Sequence, residues 1–240
     1  MNSIIITKNG RKEEFMNEFR ELRANEIDVR IQSISKGKNG IGAILLLYKD
    51  ARCDMNILDE TVGILGWKRE HKMIGDRLYC VVSLYDDEKK EWISKEDVGT
   101  ESNTEAEKGH ASDSFKRACF NWGIGRELYT APFTYIQLNE GEYYDDKGRT
   151  KSNAKFYVDE IEYESRRISR LVLMDSKNNI RFSYSIEPKA TREQLMQLVP
   201  NYTGDSLKKL LYYNKIMRIE DLPRAKAEEL IIKLKEKKNA

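Results

Sequence analysis

The 240-residue sequence holds only two histidines and three cysteines, a scarcity that removes whole classes of chemistry. His71 and His110 have no second histidine or cysteine at ligand spacing, so no zinc site is expected of them. Cys53, Cys80 and Cys119 are odd in number, far apart and outside any CxxC pair. They are therefore expected as reduced core thiols, not as a disulfide framework or a zinc ribbon. No apolar run approaches the ~18 residues of a membrane span, and the apolar part of MNSIIITKNGRKEEF is too short for a signal peptide. A cytoplasmic protein without membrane contact is the expectation. The glycines of Lys36 to Gly42 (KGKNGIG) lack a following GK[ST], so they do not make a phosphate loop. No internal repeat is visible, and the lysine-rich end KLKEKKNA is the one biased segment.

What the chain does contain is enough apolar residue, 40%, for one substantial core and a small appended unit. The net charge of +2 hides an asymmetry. Residues 191 to 240 carry eleven Lys and Arg against seven Asp and Glu, whereas residues 1 to 190 carry 31 against 33. The larger part has no average positive charge, so any binding of nucleic acid by it requires a local concentration of lysine and arginine.

Apolar periodicity divides the chain into elements. Phe15, Phe19 and Leu22 mark an amphipathic helix near residues 11 to 24. Alternation predicts a strand from Ile27 to Ser33, a glycine turn at Lys36 to Gly42 and a strand from Ala43 to Tyr48. A short helix over 54 to 62 is expected to be capped by Asp54 and stopped by Gly63. Strands at 65–74, 77–85 and 91–101, separated by GD and DDEKK turns, form an antiparallel meander.

Residues 104 to 129, TEAEKGHASDSFKRACFNWGIGRELY, read as one long helix. Thr104 and Glu107 match a capping box, and Gly123 and Gly125 supply the stop. Ala111, Phe115, Ala118, Cys119 and Trp122, three and four apart, form the buried face. Gly109 costs about 1 kcal/mol in a helix interior, which places the regular start nearer Ser112 as an alternative. Lys116 lies ~100° from Phe115, at the flank of the buried face, and Arg117 points the other way.

Beyond it, an extended run at 131–138 precedes an acidic, glycine-interrupted mobile loop at 141–154. Strands follow at 155–164, 166–174 and 180–186, the last two turning at Asn178 and Asn179. Pro188 closes a domain of residues 1 to 188. Residues 191 to 240 are expected as a separate three-helix domain. Its helices start at the Thr191/Gln194 capping box, at Asp205 or Ser206, and at Asp221 with Pro223 in the first turn. The class is α+β with antiparallel strands.

The acidic pairs Asp86/Asp87 and Glu96/Asp97 invite a metal-dependent nuclease, but neither has a further carboxylate and lysine at defined spacing. The cations are more suggestive: Lys108, Lys116, Arg117 and Arg126 from the long helix, with Arg52, Lys68 and Arg69 before it. A curved sheet backed by that helix leaves a groove where several line up on phosphates. The same residues also fit an ordinary solvated face.

The order GWKRE (Gly66 to Glu70), YCVVSLYD (Tyr79 to Asp86), KEDVGTE (Lys95 to Glu101) and EKGHASDSFKRACFNWGIGRELY (Glu107 to Tyr129) resembles the Rad-fifty-two superfamily of single-strand annealing proteins. The likeness is greatest to its phage and prophage Sak type, over roughly residues 25 to 135. The resemblance implies a β-β-β-α core whose subunits assemble side by side into rings or arcs. Single-stranded DNA lies in a basic groove with its bases presented for pairing, and no cofactor or nucleotide hydrolysis is involved. The family's groove lysine falls on Lys116, with Arg117 beside it, and a second basic position falls on Lys108. The basic residue of the helix before the GW strand falls near Arg52, although gap-free spacing from Trp67 lands on Cys53. The tail resembles helical units that dock a host single-strand binding protein or a companion exonuclease. An alternative role is that of an interaction protein acting on a host repair factor.

Overall fold

The computed structural model describes residues 18–38, 40–99 and 106–239, the side chains of 106–108 and 238–239 excepted. In chain order the elements are β1 (Asp28–Gly37), β2 (Gly40–Tyr48), α1 (Ala51–Val62), β3 (Trp67–Ile74), β4 (Arg77–Asp86), β5 (Glu91–Val98) and α2 (Ala106–Trp122). These are followed by β6 (Tyr135–Gln137), β7 (Tyr143–Asp146), β8 (Arg149–Ser152), β9 (Phe156–Glu164), β10 (Arg167–Asp175) and β11 (Ile180–Ser185). Three helices end the chain, α3 (Arg192–Leu198), α4 (Gly204–Tyr213) and α5 (Arg224–Asn239). The class is α+β, and every strand pairing is antiparallel.

Two compact units divide the chain: Met1–Glu21 with Asp50–Arg126, and Leu22–Lys49 with Glu127–Ala240. The first holds the expected meander, β3-β4-β5, with α2 packed on β4 and β5. Its α1 starts earlier than the pattern suggested. Asp50, not Asp54, is the cap, its carboxylate accepting from the Arg52 N–H at 2.8 Å. Asp54 is instead buried within the helix. Gly63, at φ +78, ends α1 as expected.

The second unit is a six-stranded sheet in the order β11-β10-β9-β1-β2-β6, with the β7-β8 hairpin and the three C-terminal helices. The β1-β2 turn is tighter than Lys36 to Gly42, because Gly37 and Gly40 already pair. Residues 18 to 23 are irregular, not helical, although Phe19 and Leu22 are buried. The rest of that expected helix, 11 to 17, lies outside the described residues, as does the Thr104/Glu107 box. The expected loop at 141–154 is a hairpin. Lys147 and Gly148 both take positive φ, 55 and 80, which is the conformation a two-residue hairpin turn needs.

In the tail the Thr191/Gln194 capping box forms as read. Thr203, with Ser206, takes the place expected of Asp205 or Ser206 as the cap of α4. Asp221 caps nothing; its carboxylate accepts from Lys189 and Arg218, while the Pro223 carbonyl receives the first bond of α5. The helices have a core of their own, with Leu198, Leu210, Ile216, Leu222 and Ala227 at its centre. They are also tied to the sheet. Ser183 Oγ donates to Lys215 O at 2.8 Å, Arg170 donates to Asn214 O at 3.2 Å, and the Lys215 ammonium pairs with Asp159. The compact division therefore runs differently from 1–188 and 191–240, and removing residues 191 to 240 strips bonds from β9, β10 and β11.

A buried ion network fastens the β7-β8 segment to the sheet edge. Arg181, 8% exposed, donates to Glu142 at 2.5 and 2.9 Å, to Asp175 at 3.2 Å and to Gln137 O at 2.7 Å. The Arg181 guanidinium holds the Glu142 carboxyl below its usual range. Burial by itself raises that of Asp175, but bonds from Asn179, Lys177 and Arg181 outweigh it and the net direction is down. Both carboxylates are depressed in the folded state, so their stabilisation is complete above the ordinary carboxylate range, begins to fall as pH enters it, and is lost as pH falls on through the lower folded-state values. Arg181→Met is expected to cost about 3 kcal/mol or more near neutral pH, by leaving buried charge uncompensated. Urea midpoints measured against pH should show that loss shrinking below about pH 4; a loss independent of pH contradicts the network.

Candidate nucleic-acid interface

The seven cations singled out by sequence belong to the first unit, and strand alternation decides where the two on β3, Lys68 and Arg69, point. Trp67, Arg69 and His71 of β3 pair with Leu84, Val82 and Cys80 of β4, which pair in turn with Ile93, Lys95 and Asp97 of β5. These three rows face α2. Trp67 stacks on Phe115 with centroids 6.0 Å apart, and His71 Nε2 lies 3.2 Å from Ala111 O. Lys68 belongs to the opposite face, where its ammonium stands 4.4 Å over the Trp92 ring. It does not share a groove with Arg69.

The motif residues earn their places by contact. Gly66 packs so closely against α1 that a Cβ would come within 2.1 Å of Val62 O. Trp67 donates its indole N–H to Asp59 of α1 at 2.7 Å. Gly99, at the end of KEDVG, lies against the α2 backbone, and a Cβ there would meet His110 O at 2.7 Å and Ser114 N at 3.1 Å. α2 runs through Gly109 without a break, and Phe115, Ala118 and Cys119 are fully buried. Gly123, at φ +100, terminates it before Arg126, which stands in a separate 3₁₀ turn. The three cysteines are buried thiols outside any disulfide, as expected, and burial pushes the Cys80 thiol up to about 11.

On the β3 side of α2 three cations gather. The Arg69 guanidinium lies 4.9 Å over the Phe115 ring. Arg52, exposed in the first turn of α1, donates to Asp50 at 2.8 and 3.3 Å. Half-buried Lys116 makes no ion pair among the described residues. The Asp50 carboxyl is held low, first by its hydrogen bonds from Arg52 and more weakly by the Lys116 charge, which places that ammonium in the same neighbourhood.

The β5 side is more committed. Arg117 pairs with Asp97 at 3.4 Å. Arg126 donates to Phe120 O at 2.5 Å and Asn121 O at 2.8 Å, neutralising the last carbonyls of α2. Lys95, absent from the sequence candidates, also donates to Asn121 O, at 2.9 Å, and sits 4.4 Å over Trp122. Its alternation with Ile93 and Asp97 was the available signal. The Lys108 side chain lies outside the described residues.

Glu96 and Asp97 point to opposite faces, so they do not make the carboxylate pair that a nuclease site there requires. Among the described residues no three His, Cys, Asp or Glu side chains are grouped to hold a metal ion, and no helix is long and apolar enough to cross a membrane. The Asp86 carboxylate accepts from the Glu88 and Lys89 N–H groups and closes the β4-β5 turn. His110 Nε2 is buried without a hydrogen-bond partner among the described residues. Neither a family model, a curated protein nor a solved structure matches the chain.

The two close approaches separate steric from conformational glycines. Gly99→Ala is expected to destabilise the protein by about 1–3 kcal/mol, since strand and helix backbones must part. Gly75, at φ +63 with open space around it, should accept asparagine within about 0.5 kcal/mol. Urea unfolding of both variants checks this, and equal losses contradict the close-packing account.

Proposed function

We propose that the protein binds single-stranded DNA and anneals complementary strands without ATP, metal or covalent chemistry, in recombination or repair. It acts as a homo-oligomeric ring or arc in the cytoplasm of a bacterial cell, in keeping with a phage or prophage origin. One observation carries this: Lys116 is unpaired among the described residues on the β3 flank of α2, where Arg69 and Arg52 also gather. A rigid helix holding an ammonium beside two guanidinium groups suits a chain of phosphates. The succession β3-β4-β5-α2, with its GW, EDVG and FKRA segments at the contacts described, supports the resemblance to single-strand annealing proteins.

The small net charge of +2 agrees with this function if the groove is shared. Each cation then recurs once per subunit, and a lane of positive charge is built by repetition. Strands held at high local concentration with bases exposed pair without further catalysis. The C-terminal helices offer a docking surface for a partner such as a single-strand binding protein or an exonuclease.

Annealing of complementary oligonucleotides should accelerate in EDTA without nucleotide; metal-dependent cleavage instead points to a nuclease, and no binding at low salt to a pure interaction protein. Lys116→Ala should weaken binding and reduce the steepness of log K against log[salt] by roughly 0.7, the loss of one phosphate contact to a single strand. Lys68→Ala, on the opposite face of the sheet, should leave the slope unchanged. If both variants behave alike, the α2 flank is not the groove.

A further inference from the structure

Asp50, at the head of α1, makes two kinds of bond with one carboxylate. It caps the helix by accepting from the Arg52 N–H at 2.8 Å. It also takes the Arg52 guanidinium: Oδ1 accepts from Nε at 2.8 Å and Oδ2 accepts from Nη2 at 3.3 Å. Two N–H groups of one guanidinium on two oxygens of one anion is the arrangement by which arginine grips a carboxylate or a phosphate. The Arg52 and Asp50 side chains are 84% and 49% exposed, so the pair is wet and weak.

Capping does not need this charge. Asn and Ser cap a helix about as well as Asp does, and neither neutralises an arginine. A charged cap adds a favourable interaction with the helix dipole, which bears on the stability of α1 and not on its ligands. Asp50 is nevertheless kept ionised. Bonds from the Arg52 side chain, and then from its N–H, hold the carboxyl below the usual range, and the Lys116 charge adds a smaller effect. One carboxylate therefore lies on Arg52 and within the field of Lys116, the two cations that the packed helices α1 and α2 bring to the β3 flank.

We infer that Asp50 is a built-in competitor for the strand, an autoinhibitory contact that occupies the Arg52 guanidinium until a phosphate displaces it. The inference rests on the proposed function and adds to it a control on the strength of the same groove. A phosphate presents two oxygens to the same guanidinium, so the exchange conserves the hydrogen bonds of Arg52. Asp50 meanwhile keeps the Arg52 N–H, and the helix keeps its cap. Lys116 thus binds a phosphate outright, whereas Arg52 binds one only by exchange. When a strand leaves, Asp50 retakes the guanidinium, which lowers the affinity of each subunit and eases the departure of annealed product.

The test uses the full-length protein, labelled oligo(dT) and a salt titration. Asp50→Asn and Asp50→Ser each keep a cap and remove the charge. Both should bind more tightly, by up to about fivefold at 0.1 M salt, with log K against log[salt] steeper by up to roughly 0.7, the gain of one phosphate contact to a single strand. Arg52→Ala should cost more affinity in the Asp50→Asn background than in the native protein, the non-additivity of two residues in contact. Asp86→Asn, which removes the same charge from the β4-β5 turn, should give no gain. Unchanged or weaker binding by both Asp50 variants overturns the competition and leaves the proposed function standing. An equal gain from Asp86→Asn, or a gain that survives Arg52→Ala, overturns it as well, because net charge alone then accounts for the effect. If neither the native protein nor the variants bind the strand at low salt, the proposed function fails and the competitor with it.

Discussion

Phe115 is the contact on which the first unit turns. Its ring is fully buried, with Trp67 stacked against it and the Arg69 guanidinium over it. Trp67 is in turn bonded to Asp59, so one aromatic side chain joins α1, β3 and α2. The rotation of α2 about its axis follows from this. A helix turned by one residue, ~100°, would carry Lys116 into the sheet and Phe115 into water, and the difference in buried apolar surface forbids it. The direction of Lys116 is therefore a consequence of core packing and costs no separate interaction. Gly66 and Gly99 set the distances at either end, because a side chain at either position would push the backbones apart.

Elements with an apolar period were legible from the residues alone. The meander, α2, the β9-β10-β11 strands and the tail helices all have one face that alternates or recurs in step with its geometry. The β7-β8 hairpin was not legible, because YYDD and RTKS bury almost nothing and leave no pattern beyond a turn at Lys147 and Gly148. Phe19 and Leu22 gave a false helical period: both are buried, but by irregular chain. Caps were misassigned for a related reason. Asp50 and Thr203 each stand before a first turn with few apolar residues, so the pattern begins later than the helix.

The candidate site was legible as a list of cations and illegible as an arrangement. Lys68 and Arg69 are neighbours in sequence and lie on opposite faces of a strand, a separation that depends on knowing which residues meet α2. Lys95 was missed although it shares the parity of Ile93, because the acidic residues around it made the segment look like a carboxylate cluster. β2 left a trace too: IGAILLLY is apolar at nearly every position, which is the mark of a strand covered on both faces.

Among the cations near α2, commitment grades from one side of the helix to the other. Arg126 is bound to two carbonyl oxygens that would otherwise be orphaned at a helix end, so releasing it to a ligand leaves the negative end of α2 uncompensated. Arg117 is held by Asp97 at 3.4 Å, with side chains 37% and 26% exposed. A partly exposed pair of that length is worth on the order of 1 kcal/mol or less, which a phosphate can replace. Arg52 has the same relation to Asp50. Lys116 has no carboxylate to exchange among the described residues, and a phosphate reaching it meets no such competition. Selective affinity for a polyanion is thus set less by how many cations surround α2 than by which of them the fold has left unspent. On a chain of nearly neutral charge, that difference is what local binding has to draw on.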